Sequence, residues 1–297
     1  IIGNTAGSGG SGTMLQCIVL GRNAMKSTAG NAQTGTVAIG GSALTALTSG
    51  AGNVAIGYQS QNVITVGAQN TTLGYDSLPL DVGGKRTTAI GNSAARQQDG
   101  GDTATNMDNV AVGHAALYYN ITGTNNVAIG QGAAYGSSGQ SHSNNVAVGK
   151  NALTAITTGA NNVAIGSNTG AAITTTSGTV LIGKSAGIAL NHDGAQNTVA
   201  IGLEAGVSIT SGAGNVAVGA NALDACSTNG WNTALGSYCG GLATGSYNTF
   251  LGAKAGENLT TGSSNIYIGF HSEASAVDVT NEIVIGTTDA FADALAG

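Results

Sequence analysis

This sequence has very little charge, almost no proline and few aromatic rings. Only 7% of its 297 residues are Asp, Glu, Lys or Arg, and 41% are hydrophobic, which excludes a disordered chain held open by charge. Eight basic residues against fourteen acidic ones leave a net charge of −6, so the basic footprint that nucleic acid requires is missing. A single proline, with glycine at no strict third place, excludes collagen. No apolar run approaches the roughly 18 residues of a membrane span, so none is expected in this segment. The three cysteines, Cys17, Cys226 and Cys239, are odd in number and lack a framework spacing; they read as small buried hydrophobes.

What the chain does have is glycine, 50 of them, and one phrase spelled over and over. "NVAIG" ends at Gly57, "NNVAIG" at Gly130 and Gly166, "NNVAVG" at Gly149 and "NIYIG" at Gly269. The closing glycine recurs 17 times from Gly3 to Gly286, about 17.7 residues apart, and ten of the sixteen steps are 17 residues long. Only the step from Gly91 to Gly113, at 22, is much longer. A short period held this long predicts a solenoid, in which each coil buries a face on its neighbours. Apolar–small–apolar–Gly in β-branched residues is a period of two, so the coils are strands and the fold class is all-β, a parallel β-solenoid. The first residues already match the end of a motif, so residues 1–297 are expected to be one repeat array, a piece of a longer chain that continues at both ends. Polar insertions at 92–109, 131–144 and 184–197 are expected to be surface loops.

Alternation assigns two faces. The residue before the closing glycine is Ile, Leu or Val in all 17 copies, and is expected to line the interior: Ile39, Ile56, Ile129, Val148, Ile165, Ile182, Ile201, Val218 and Ile268. The middle residue, often Ala, is then expected to point outward. Alanine is a poor strand former, so an outward row of it suggests close approach of a neighbouring subunit. The expected interface comprises Ala55, Ala111, Ala128, Ala147, Ala164, Ala200 and Ala217. The asparagine opening the motif (Asn53, Asn126, Asn145, Asn162, Asn215, Asn248, Asn265) is expected to stack into a ladder joining coil to coil. A second short strand is expected after each closing glycine, followed by a Thr-Gly turn.

"NNVAIG", a small residue three places after the glycine, and then "TTG" resemble the head repeats of trimeric autotransporter adhesins. They look even more like the arrays of bacteriophage tail fibres. The resemblance covers nearly the whole chain and implies a left-handed parallel β-roll packed side by side as a homotrimer. It further implies a place on a virion tail fibre or the extracellular cell surface, and a host or cell-surface receptor, possibly a glycan, as partner. The adhesin repeat is shorter, about 14 residues, which leaves the coil cross-section open. An ice- or glycan-binding solenoid is the alternative from a different class.

Chemistry is sparse. Asp99, Asp102 and Asp108 crowd the insertion "RQQDGGDTATNMDN", but their spacing matches no calcium loop. Asp76 and Asp81 are the closest carboxylate pair elsewhere, and nothing singles them out for glycoside hydrolysis. His114, His142, His192 and His271 show no metal spacing. "GGSGTM" near the N-terminus lacks the Lys-Ser/Thr of a phosphate loop and reads as a turn. No catalytic, cofactor or metal residue is therefore expected, and the protein reads as a non-enzyme. Tyr118, Tyr119, Tyr135 and Trp231 read first as plain packing and second as rings able to stack on sugars.

Overall fold

The computed structural model describes residues 1–8, 13–28, 31–191 and 193–287. It comprises two compact units, Ile1–Asn151 and Ala152–Gly297, each a parallel β-solenoid. In the first, the ladder runs through Ile18–Leu20, Val37–Ile39, Val54–Ile56, Thr71–Leu73, Thr88–Ile90, Val110–Val112, Val127–Ile129 and Val146–Val148. In the second it runs through Val163–Ile165, Val180–Ile182, Val199–Ile201, Val216–Val218, Thr233–Leu235, Thr249–Leu251, Ile266–Ile268 and Ile283–Ile285. Within each unit each strand pairs with the next in register, so that Val54, Ala55 and Ile56 lie beside Thr71, Thr72 and Leu73.

The closing glycine is required twice over. It holds φ between +127° and +146°, a region that L side chains resist. It also lies directly on the glycine of the next rung: a methyl group on Gly113 would stand 2.6 Å from the Gly130 carbonyl oxygen. The backbone then makes tight turns, with residues two and four places on in the left-handed region, such as Ser42 (φ 60°) and Leu44 (φ 51°). This replaces the second strand expected from the sequence. Among the described residues, extra pairings occur only before the main strand, Met14–Leu15 with Gln33–Thr34 and Gly84–Lys85 with Thr105–Asn106.

The two strand faces are reversed relative to the sequence expectation. Ala55, Ala111, Ala128, Ala147, Ala164, Ala200 and Ala217 are completely buried within the coils. They therefore cannot touch another subunit. Ile39, Ile56, Ile129, Val148, Ile165, Ile182, Ile201, Val218 and Ile268 point outward, and Ile129 and Ile165 are 39% and 38% exposed. Period two identifies two faces without saying which is inside, and a one-residue slip exchanges them. The deciding factor is the width of the coil. Leu44, Leu47 and Ile64 arise from the turn side, fill the interior and pack in one cluster with Ala38 and Ala55, leaving room for only a methyl group at mid-strand.

Where the mid-strand residue grows, the opposing position shrinks. Leu181 and Phe250 replace Ala, and Gly170, Gly187, Gly240 and Gly256 stand where other rungs carry Leu. A methyl group on Gly240 would lie 2.7 Å from the Phe250 ring, and one on Gly170 would lie 2.8 Å from Leu181. Phe250 and Tyr267 stack at 5.7 Å inside the second unit.

The asparagine ladder is present and bonds side chain to backbone. Asn53 Oδ1 accepts from the Asn70 amide at 3.0 Å while its Nδ2 donates to the Gly67 carbonyl at 2.9 Å. Asn126 repeats this with the Asn145 amide (3.1 Å) and the His142 carbonyl (2.8 Å). Asn162 bonds the Thr179 amide and the Thr176 carbonyl; Asn215, Asn248 and Asn265 do the same with the following rungs. All seven are essentially buried, and each pair of bonds satisfies backbone groups that lie outside the strand ladder. A second ladder runs through the corner threonines. Thr48, Thr157 and Thr260 Oγ1 donate to the carbonyls of Thr65, Thr174 and Val277 at 2.9–3.0 Å.

Candidate assembly face and surface loops

Each rung presents two side chains outward from its strand, both aliphatic in most rungs, while Thr71, Thr88, Thr233 and Thr249 stand opposite a Leu or Ile in four of them. Across the first unit Ile18 (56%), Leu20 (41%) and Leu73 (48%) are exposed; across the second, Leu235 (48%), Leu251 (42%) and Ile283 (66%). The remaining valines and isoleucines of the strands are mostly half-buried by their neighbours along the ladder. The outcome is a ribbed apolar sheet face in each unit, with no charged residue on any ladder strand. Soluble monomers rarely expose contiguous apolar surface of this kind.

The loop at 92–109 does not gather its carboxylates. Asp108 Oδ2 is paired with Arg86 at 2.7 Å, Asp99 Oδ1 accepts the amides of Gly101 (2.9 Å) and Val82 (3.3 Å), and Asp102 is exposed. Among the described residues no group of three or more His, Cys, Asp or Glu is placed to hold a metal ion. Beneath the loop lies a polar network. Asp81 Oδ1 accepts the amides of Gly84 (2.6 Å) and Gly100 (3.0 Å), and Oδ2 accepts from Gln98 at 2.7 Å. Gln98 also donates to Thr87 (2.8 Å) and accepts from Asn109 (2.9 Å). Burial pushes the Asp81 carboxyl above its usual range, against the opposing pull of these hydrogen bonds. Asp76 is held separately, by Arg96 at 2.8 Å, so Asp76 and Asp81 have different partners. A cleft lined by Asp99, Gly100, Thr105, Met107, Ile121 and Thr122 opens beside the loop.

The loop at 131–144 exposes Ser137–Gln140 but sends His142 into the interior, where burial lowers its pKa to about 4 and keeps it neutral. The loop at 184–197 contains a 3-10 turn at Asp193–Ala195, and Thr198 replaces the ladder asparagine there, bonding back to the Ala195 carbonyl at 2.8 Å. His192, and residues 9–12 of "GGSGTM", lie outside the described residues. His114 is exposed, and His271 approaches Glu257 and Glu273 at 3.4 and 3.3 Å.

Of the rings, Tyr118, Tyr119 and Tyr135 form a half-buried cluster with centroids 4.6–5.1 Å apart, and the Arg96 guanidinium lies over Tyr118 at 5.6 Å. Their faces are occupied by one another. Trp231 is 60% exposed, with one edge of its ring resting on Gly214. Two exposed features were not evident from composition: the stacked pair Tyr58 and Tyr75, at 5.6 Å, and Tyr238. Cys226 and Cys239 are free and buried, and burial pushes their thiols up to about 11 and about 12. They substitute for core residues, while Cys17 is half-buried.

No protein-family model matches this chain, and no curated protein matches it.

Proposed function

We propose that the chain is the structural and adhesive shaft of a surface fibre, a side-by-side homotrimer, of the kind found in bacteriophage tail fibres or, second, in bacterial adhesin heads. The observation that carries this reading is the outward aliphatic face. Its ribs recur at the rung spacing of about 4.8 Å, so the surface that matches it rung for rung is another copy of the same ladder. Subunits then pack through the Val/Ile rows, and the alanines stay within their own coils. A fibre of this kind serves mechanically, presenting loops to a receptor while its hydrogen-bonded ladders resist unfolding. The ice-binding alternative loses support because the outward face is largely aliphatic, with threonine at only four of its positions among the described strands, and the corner threonines spend their hydroxyls on the next rung.

Light scattering on the 297-residue chain tests the assembly. A mass three times the 28.7 kDa chain is expected, falling to one chain in a multiple outward variant such as Ile129→Lys with Ile165→Lys. A monomeric wild type overturns the reading, and a dimer overturns its threefold part.

A further inference from the structure

One rung of the second unit departs from its neighbours at three outward positions at once, and all three departures meet. Two places after the closing glycine the column reads Asn168, Ser185, Glu204, Asn221, Tyr238, Lys254, His271. Five places after, it reads Ala171, Ile188, Val207, Asp224, Gly241, Glu257, Ala274, and six places after, Leu242 stands where Ala172, Ala189 and Ala225 stand elsewhere. Tyr238, Gly241 and Leu242, together with Asp224 and Glu257 of the flanking rungs, line a half-open notch of about 160 Å³.

The fold explains none of these three residues. Tyr238 holds φ 59°, where its column otherwise places mainly polar side chains, and it remains 51% exposed. Every described rung holds this position in the left-handed region, so the backbone is that of the fold, and what sets Tyr238 apart is a large exposed ring in a column of polar side chains. Gly241, unlike the closing glycines, has no positive φ, and a methyl group there would meet nothing nearer than 3.4 Å. Its missing side chain does one thing, which is to open the notch. Leu242 is 53% exposed.

We infer that this notch binds one pyranose ring of a saccharide. The apolar C–H face of the ring lies on Tyr238 and Leu242, the arrangement for which a half-exposed amphipathic ring is suited. Asp224 and Glu257, two rungs or about 10 Å apart on either side of Gly241, accept hydrogen bonds from its hydroxyls. Glu257 is positioned for this by Lys254 at 3.3 Å and His271 at 3.4 Å, whereas Asp224 has no ion pair or hydrogen bond among the described residues. The notch is smaller than the ~300–1,000 Å³ that encloses a drug-sized molecule, so it grips one ring of a longer chain, and repeated copies of the subunit supply avidity. This deepens the adhesive part of the proposed function, yet it stands whatever the number of chains in the fibre.

Saturation-transfer NMR on the full chain tests it, using the methyl glycosides of glucose, galactose and mannose and their linear trisaccharides as probes. At least one probe is expected to bind in the millimolar range, with transfer strongest on ring C–H protons. Gly241→Val, which fills the notch without backbone strain, should weaken binding at least tenfold, as should Tyr238→Ala, while melting temperature and assembly mass stay at wild-type values. Absence of binding by every probe, or unchanged binding in Gly241→Val, overturns the assignment. So does binding of tetramethylammonium at this notch in place of the glycosides, which would make it a cation site. The unchanged mass of Gly241→Val separates loss of this site from failure of the fibre reading.

Discussion

The two units use the same coil and vary its interior differently. In residues 1–151 the mid-strand position departs from Ala toward a modest increase in size at Val19 and toward polarity at Thr72. Thr72 there shares hydrogen bonds with Ser60 and Gln61, and Ser60 passes on to Ser77 at 3.1 Å. The Asp81–Gln98–Asn109 network extends the same tendency. In residues 152–297 the position departs toward size, through Leu181, Phe250 and Tyr267. Both solutions are compensated locally. A buried hydroxyl brings its own partners, and a buried ring brings glycines on the opposing turn. What the coil preserves is total volume and most of its hydrogen bonds, Gln61 Oε1 and His142 Nε2 being buried without one, with residue identity free to change. The closing glycine is the exception, alike in both units because its reason is backbone contact.

That common element gives the largest expected effect. Gly113→Ala in the first unit and Gly166→Ala in the second both force a left-handed φ on alanine, +135° and +137°. They drive Cβ to 2.6 and 2.5 Å from the next glycine's carbonyl oxygen. Each should cost more than about 4 kcal/mol, beyond the usual range of point substitutions. Urea unfolding of the two variants checks this, and a loss under 1 kcal/mol in either would show that the rungs have slack.

The compensation itself is next in size. Phe250→Ala should cost about 3 kcal/mol through the cavity it leaves, the low end for a buried ring because flanking atoms can move in. Adding Gly240→Leu should recover much of that loss, since it recreates the Leu-over-Ala arrangement seen at Leu44 and Ala55. Leucine already occupies this backbone geometry at Leu153 and Leu223, with φ of 51° at both. A double-mutant cycle with no coupling between 240 and 250 would break the exchange rule.

The period, the strands, the closing glycine and the asparagine ladder were legible because each leaves a residue-type signature at fixed spacing. The orientation of the strand was not. Val-Ala-Ile is consistent with either face inward, and the usual preference for large residues inside favours the wrong one. Only the knowledge that Leu44 and Ile64 already fill the coil from the turn side decides it, and that depends on the turn conformation. The left-handed turns also carry no firm signature, since their positions hold Ser, Asn, Leu, Met and Gln. The Tyr238–Gly241–Leu242 departures are visible once the rungs are aligned column by column, but their convergence on one notch needs the fold.

The smallest expected effect is one of pH, and it has opposite signs at two carboxylates, one in each unit. Asp81 has a raised pKa, chiefly from burial, so the folded state holds its proton more tightly than the unfolded chain. Asp81's contribution to residues 1–151 should therefore fall as pH rises from the usual aspartate value, 3.8, through that raised value, whereas that of His142, lowered to about 4, grows over the rise from about 4 to 6.5. Glu282 has a lowered pKa: burial opposes the shift, but hydrogen bonds from Ser275 and from Tyr267 at 2.8 Å outweigh it. Its contribution is present above the usual glutamate value of 4.5 and is lost as pH falls through the lowered one. On acidification the first unit gains from its carboxylate and the second loses from its own. Hydrogen exchange measured separately on amides of the two units between pH 3 and 6, against Asp81→Asn and Glu282→Gln, isolates each contribution. Parallel changes in both units, unaffected by the substitutions, would mean that the buried carboxylate of the first unit is as well compensated as the phenol–carboxylate pair of the second.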